Sequence, residues 1–328
     1  RGFAARGEHW AVTDPAEQSA EVRTAAHRLK RVLRPLMSAL ALAFVLWAFR
    51  DLAKRWDSNA VHVHWGLVAA SLVPLVIGGV VLAAAWRYLI ARLACRSVAF
   101  GPSVALHAES QLARYLPGKV GIPVVRMAGA GGIGVPAKVA GSSVLIELTS
   151  YVAVGGVIGL GLVTAFRNGD VSELLGRYAP LAVPALAVII ALLVFVDRAR
   201  CPARIRRVLG FEGEGPLAPR SLPFMHVVYW LTWAAHGVLV TSAVGADASG
   251  ARAAAGVFVL APIVGFLALA APAGAGVREA ALSIGLVPVV GPAPALSALL
   301  LSRGMTLVAD VVVWLVLRPM RARSTASQ

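Results

Sequence analysis

Long apolar stretches divided by short polar loops set the pattern of this chain. No Asp, Glu, Lys or Arg occurs in 58–86, 148–166, 178–196, 221–246, 253–277 or 280–302. A helix rising about 1.5 Å per residue needs roughly 20 residues to cross the ~30 Å hydrocarbon core of a bilayer, so each stretch reads as membrane-embedded. A shorter run, 35–49, lies between Arg34 and Arg50, whose long stems reach back to the interfaces. The pattern predicts an all-α integral membrane protein with about six full transmembrane helices, near 35–50, 65–86, 139–166, 178–196, 223–244 and 293–317. Two regions, 97–137 and 253–290, do not fit as single spans; each is expected to be a re-entrant or broken-helix hairpin or a pair of short spans.

Lys and Arg alternate between loops. Nineteen lie in 1–34, 87–96, 197–220 and 318–323, against six in 50–57, 167–177 and 245–252. Cytoplasmic loops carry the excess, which places both termini inside a cell (inner) membrane. The expected division is a basic cytoplasmic arm at 1–34, a membrane domain at 35–318 and a cytoplasmic tail at 319–328. With no initiator Met, the chain is expected to start inside a longer precursor.

The membrane domain reads as two halves, 35–167 and 178–318, each running helix, helix, interrupted segment, helix from opposite sides. That order is the signature of an inverted-topology repeat, whose interrupted helices point to a substrate site at mid-membrane. The interruptions match locally: Pro117 to Gly121 in LPGKVG and Pro272 to Gly276 in APAGAG share one spacing. Pro removes a backbone donor and Gly tolerates positive φ, so Pro117, Gly118, Gly121, Pro272, Gly274 and Gly276 are the expected hinges. Irregular backbone at membrane depth survives only when buried in protein or lining a wet cavity.

Composition agrees with the pattern: 58% hydrophobic, 14% charged, mean hydropathy +0.76. A soluble domain carries about 25% charged residues. The net charge of +15 sits at helix ends, where lipid headgroups account for it, and a nucleic-acid partner is set aside.

The charges inside the apolar regions carry the candidate chemistry, because a charge at a helix centre costs about 2.5–3.5 kcal/mol on insertion scales and needs a partner or an aqueous path. Arg114, Lys119, Arg126, Arg278 and Arg303 are the candidate contacts for an anionic substrate. Glu109, Glu147, Glu279 and Asp310 are expected to pair with them or to bind protons. Glu147 lies 30 residues after Pro117 and Arg303 31 after Pro272, so a pseudo-two-fold would bring these two together. Such a pair could be purely structural, as could a local pair of Arg278 with Glu279.

Other signals are weaker. Gly129, Gly131 and Gly134 match the dinucleotide-binding spacing, but no strand leads into them. His62 and His64 have no evident third ligand, and no metal or cofactor is expected. Cys95 and Cys201 stand beside arginines and read as structural thiols. Gly155, Gly156, Gly159 and Gly161 suggest close helix packing.

Taken together, ESQLARYLPGK from Glu109 to Lys119, then Arg126, Glu147, the PAGAGVRE block from Pro272 to Glu279, and Arg303 resemble the lysylphosphatidylglycerol synthase transmembrane region family, also called flippase-like domain proteins. The likeness covers about 30–320; one departure is Pro-Ala-Gly at Pro272, where the family commonly has Pro-Gly-Gly. The resemblance implies a lipid translocator without the soluble aminoacyl-transferase domain of the bifunctional members. Its partner would be a membrane lipid: an anionic phospholipid, an aminoacyl-phospholipid or a polyprenyl-phosphate-linked lipid. The competing readings are a membrane glycosyltransferase using a lipid-linked sugar, with Asp51 or Asp57 as its acid, and an accessory scaffold.

Overall fold

The structure, a computed structural model, describes residues 61–115, 120–166, 170–197, 200–211, 213–267 and 277–323. The expected span at 35–50, Asp51, Asp57, Lys119 and the hinges Pro117, Gly118, Pro272, Gly274 and Gly276 lie outside these residues.

The described chain is all helix, with no strand among its residues. Helices α1 (Trp65–Ala70) and α2 (Leu72–Leu93) form one long rod. It is interrupted at Ser71, whose hydroxyl donates to the Val68 carbonyl at 2.7 Å. Pro74 sits in the first turn of α2, where its missing N–H has no intrahelical acceptor to serve.

A broken pair follows: α3 (Phe100–Leu112) ends in a 3-10 turn at Ala113–Tyr115, and α4 (Gly121–Gly129) runs into a second at Ala130–Ile133. Gly134, at φ +68°, then turns the chain toward α5 (Ala137–Ala165). Gly121 opens α4 against the backbone of the preceding turn, where an added Cβ would stand 2.1 Å from the Ala113 oxygen. Close approach, then, is what that position demands of its residue.

After α5 come α6 (Asp170–Phe195), the short α7 (Ala203–Leu209), α8 (Ser221–Ala243), α9 (Ala248–Leu267), α10 (Val277–Val290), α11 (Pro292–Leu317) and α12 (Met320–Arg323). Among the described residues five helices are long and apolar enough to cross a membrane: Trp65–Leu93, Ala137–Ala165, Leu175–Phe195, Ala248–Leu267 and Pro292–Leu317. Two details differ from the sequence reading. The region 253–290 holds most of a 20-residue helix, Ala248–Leu267, that meets the criteria for a span, whereas the arms of the first pair, at 13 and 9 residues, are too short. Helix α8 has the length of a span, 23 residues, but not the composition, because its inward side carries His226, Tyr229, Trp230, Trp233 and His236.

Packing explains that composition. Helix α8 lies between α2, α9, α5 and α11, so its polar atoms meet protein instead of lipid. The Trp230 indole donates to the Tyr151 carbonyl at 2.8 Å, and the Tyr151 and Tyr229 hydroxyls lie 3.2 Å apart. Helix α6, by contrast, packs mainly on α5 and leaves Leu181 and Phe195 77% and 70% exposed, as a lipid-facing helix should. Small residues let α5 approach its neighbours: a Cβ at Gly155 would meet the Trp230 ring at 2.4 Å, one at Gly156 the Leu186 side chain at 2.6 Å, and one at Gly159 the Leu260 side chain at 2.6 Å. Gly161 faces open space. The order long helix, broken pair, long helix thus occurs twice, as α2, α3/α4, α5 and again as α8, α9/α10, α11, and the leading helices of the two sets pack on each other.

Candidate functional site

Each broken pair contributes one buried arginine from its second arm, and each arginine lies over a tryptophan on the long helix before that pair. Arg126 of α4 is fully buried, its guanidinium 4.6 Å from the centre of the Trp86 ring on α2. Arg278, in the first turn of α10, is also buried and stands 5.1 Å from the Trp233 ring on α8. An aromatic face attracts a cation without neutralising it.

The remaining contacts separate the two. Arg126 forms an ion pair with Glu147 of α5 and donates to the Ser110 hydroxyl at 3.1 Å. It also lies 2.9 Å from Nδ1 of His107. Because a guanidinium only donates, Nδ1 must accept, which leaves the His107 ring proton on Nε2; with that tautomer the Gln111 amide group, 3.1 Å away, presents its oxygen and not its nitrogen to the ring. The Trp86 indole donates to the Ser143 hydroxyl at 2.9 Å and fixes the ring beneath the guanidinium. This first cluster is internally neutral.

Around Arg278 the contacts are neutral groups. Its Nη2 donates to the Ser302 hydroxyl at 3.4 Å, and its Nε has no hydrogen-bond partner. Ser302 is held in turn by His236, which lies 3.0 Å from it through Nε2 and donates through Nδ1 to the Ser71 carbonyl at 3.1 Å. Among the described residues no carboxylate pairs with Arg278. The positive end of α10 adds to the charge there, since the first-turn N–H groups of a helix have no intrahelical acceptor.

The expected pairing of Glu147 with Arg303 does not occur. Helix α5 turns Glu147 toward the first broken pair, where Arg126 takes it, while Arg303 of α11 pairs with Glu279 of α10 at 3.2 Å. Nor do the neighbours Arg278 and Glu279 pair, because successive residues on a helix point about 100° apart: Arg278 turns inward and Glu279 toward α11. Arg114 pairs with Asp310, which also accepts from the Tyr115 hydroxyl. Glu109 lies farther out, bonded to Arg321 at 2.9 Å where α12 closes on α3.

Between the two arginine clusters lies a small cavity of about 30 Å³, room for a water molecule. His107 and Gln111 line it from the first side, Trp233 and Tyr229 from the second, and Arg114, Asp310 and Thr306 add polar groups to a wall that is otherwise apolar. A search of the sequence for acids and bases passes over Trp86, His107, Ser110, Trp233, His236 and Ser302. The available signal was two histidines, His226 and His236, inside the otherwise charge-free 221–246. The Gly129–Gly134 run lies at the end of α4 and in the following 3-10 turn, with no strand before it, which excludes a dinucleotide-binding turn. No group of three or more His, Cys, Asp or Glu able to hold a metal occurs among the described residues.

The sequence profile of the lysylphosphatidylglycerol synthase TM region matches residues 32–313, nearly the whole bundle. The chain belongs to that family. It includes both arginine clusters and the cavity between them, so the multi-pass membrane architecture and an association with membrane lipid apply to this member. No curated protein matches the chain.

Proposed function

We propose that this family member is a flippase-like lipid translocator that takes an anionic lipid headgroup between its two broken pairs. The observation that carries the reading is Arg278: a buried guanidinium at a helix start, resting on Trp233, with one nitrogen unpartnered and no carboxylate paired with it among the described residues. A buried cation without a counter-charge costs several kcal/mol, and an incoming anion removes that cost. Arg126 is already neutralised by Glu147, and Arg114 and Arg303 hold Asp310 and Glu279. In this reading Arg114 and Arg303 flank the headgroup and exchange their acids for it as it passes, while Lys119 and the Pro117 and Pro272 hinges let the two pairs separate. The lipid's acyl chains stay in the bilayer, the Lys/Arg-rich loops face the cytoplasm, and no cofactor takes part.

The test uses purified protein in liposomes containing a headgroup-labelled phosphatidylglycerol, with outer-leaflet label quenched chemically. Wild type moves label between leaflets; Arg278→Gln slows it at least tenfold, and Arg278→Lys retains part of the rate because it keeps the charge but loses the planar fork. Transport by Arg278→Gln at the wild-type rate overturns the reading.

A further inference from the structure

A second basic site lies well away from both arginine clusters. Helix α7 is only seven residues, ARIRRVL, but it is firmly placed: the Leu209 carbonyl accepts from the Ser142 hydroxyl of α5 at 2.7 Å. Gly210 ends the helix at φ +70°, so close to α5 that an added Cβ would stand 2.9 Å from Cβ of Lys138. The two elements border an open cleft of about 600 Å³, lined by Lys138, Arg206, Arg207, Pro136, Gly210 and Phe211 among others, with no acid among the described residues of its wall. Arg206 is half-buried, with its Nε shielded and without a hydrogen-bond partner among the described residues, and the cleft presents three positive charges.

The rest of α7 shows what surrounds the cleft. At 100° per residue, Ile205 and Val208 share one side of the helix, opposite Arg206 and Arg207. Both are exposed, 47% and 68%, at the end of a bundle whose adjoining helix α6 is lipid-facing. A short helix with an apolar side outward and arginines opposite lies in the plane of a membrane interface, the apolar side toward acyl chains and the charges at phosphate level.

We propose that this cleft binds the phosphate of an anionic phospholipid, held by Lys138, Arg206 and Arg207 while its acyl chains lie along Ile205 and Val208. None of these residues belongs to the Arg126 or Arg278 cluster, so the bound lipid is a resident at the rim of the bundle and not the headgroup in transit. Charge selects it: each cation near a membrane surface favours an anionic lipid, and a zwitterionic headgroup brings its own ammonium group to the same three cations.

The experiment is lipid retention by the purified full chain, read by native mass spectrometry after equilibration with equal phosphatidylglycerol and phosphatidylcholine. Wild type retains phosphatidylglycerol preferentially. The double variant Arg206→Gln/Arg207→Gln lowers that preference about tenfold or more. Lys138→Gln, on the other wall, lowers it by a smaller factor and stands in if the double variant does not fold. Arg204→Gln, on α7 but outside the cleft, leaves it unchanged, and the cleft variants lower the preference in an Arg278→Gln background as well, which separates this site from the translocation reading. An unchanged preference in both cleft variants overturns the proposal, as does an equal fall in Arg204→Gln. Displacement of the retained lipid by inorganic phosphate at concentrations comparable to the lipid's shows a site for free anions instead and also overturns it.

Discussion

Glu279 turns away from its chain neighbour Arg278 and pairs with Arg303, 3.2 Å across the contact between α10 and α11. Arg303 is neutralised by the same choice that leaves Arg278 without a paired acid among the described residues. Replacing Glu279 by Gln exposes a second cation in a part-buried setting and destabilises the protein by about 1–3 kcal/mol, between the values for exposed and buried pairs. The double variant Glu279→Gln/Arg303→Gln recovers most of that loss. A denaturation cycle over the four proteins reads the coupling, and additive losses would show that the contact contributes nothing.

The Arg126–Glu147 pair is deeper, with side chains 0% and 9% exposed. Glu147→Gln leaves a fully buried guanidinium with only neutral partners and costs about 3–5 kcal/mol. Arg126→Met in the same background restores stability, because an apolar chain of similar length needs no counter-charge. Equal unfolding midpoints for wild type and Glu147→Gln would contradict this.

Glycine substitutions along α5 should divide sharply. Gly155→Ala places a methyl group 2.4 Å from the Trp230 ring and costs about 1–3 kcal/mol through forced repacking. Gly161→Ala meets nothing within 4 Å and stabilises by up to about 1 kcal/mol through better helix propensity. Thermal midpoints of the two variants, measured in one detergent, check the contrast.

Asp247, just before α9, offers a pH test outside the spans. Its Oδ1 accepts from the Gly250 N–H at 2.8 Å and its Oδ2 from the Ser249 hydroxyl at 2.9 Å. The Gly250 bond, followed by that of Ser249, holds the carboxyl below its ordinary value of 3.8. A depressed carboxyl stabilises the folded state above its unfolded pKa, and the effect is lost as pH falls through the folded value. The stability gap between wild type and Asp247→Ala is therefore full at pH 7 and narrows below about pH 4. A gap that stays constant to pH 2.5 would refute the role.

Much of the architecture was legible in the pattern of charge along the chain. Length and apolarity suffice to mark Ala137–Ala165 or Pro292–Leu317, because a bilayer imposes both. The family likeness was also legible, since RYLPGK and GVRE are dense local signals. Pairing was not. Whether Glu147 meets Arg126 or Arg303 depends on how α5 is rotated, and an even rim of apolar residues records no rotation. Helix α8 was read as an ordinary span because its special residues are neutral: Trp233 and His236 support Arg278 and Ser302 without contributing a formal charge. The division of 253–290 went unseen because a 20-residue first arm and a 13-residue one look alike until their ends are placed.

The short second arm of the later pair has an electrical consequence. Helix α10 carries Arg278 about 18 Å from its far end at Val290, more than half the thickness of a bilayer's hydrocarbon. With α10 running along the membrane normal, Arg278 and the Gly291 turn that follows lie at different depths. An anion reaching it from water crosses part of the transmembrane voltage, where a full unit charge gains or loses about 2.3 kcal/mol per 100 mV. On the proposed reading, occupancy of that arginine responds to membrane potential as well as to concentration.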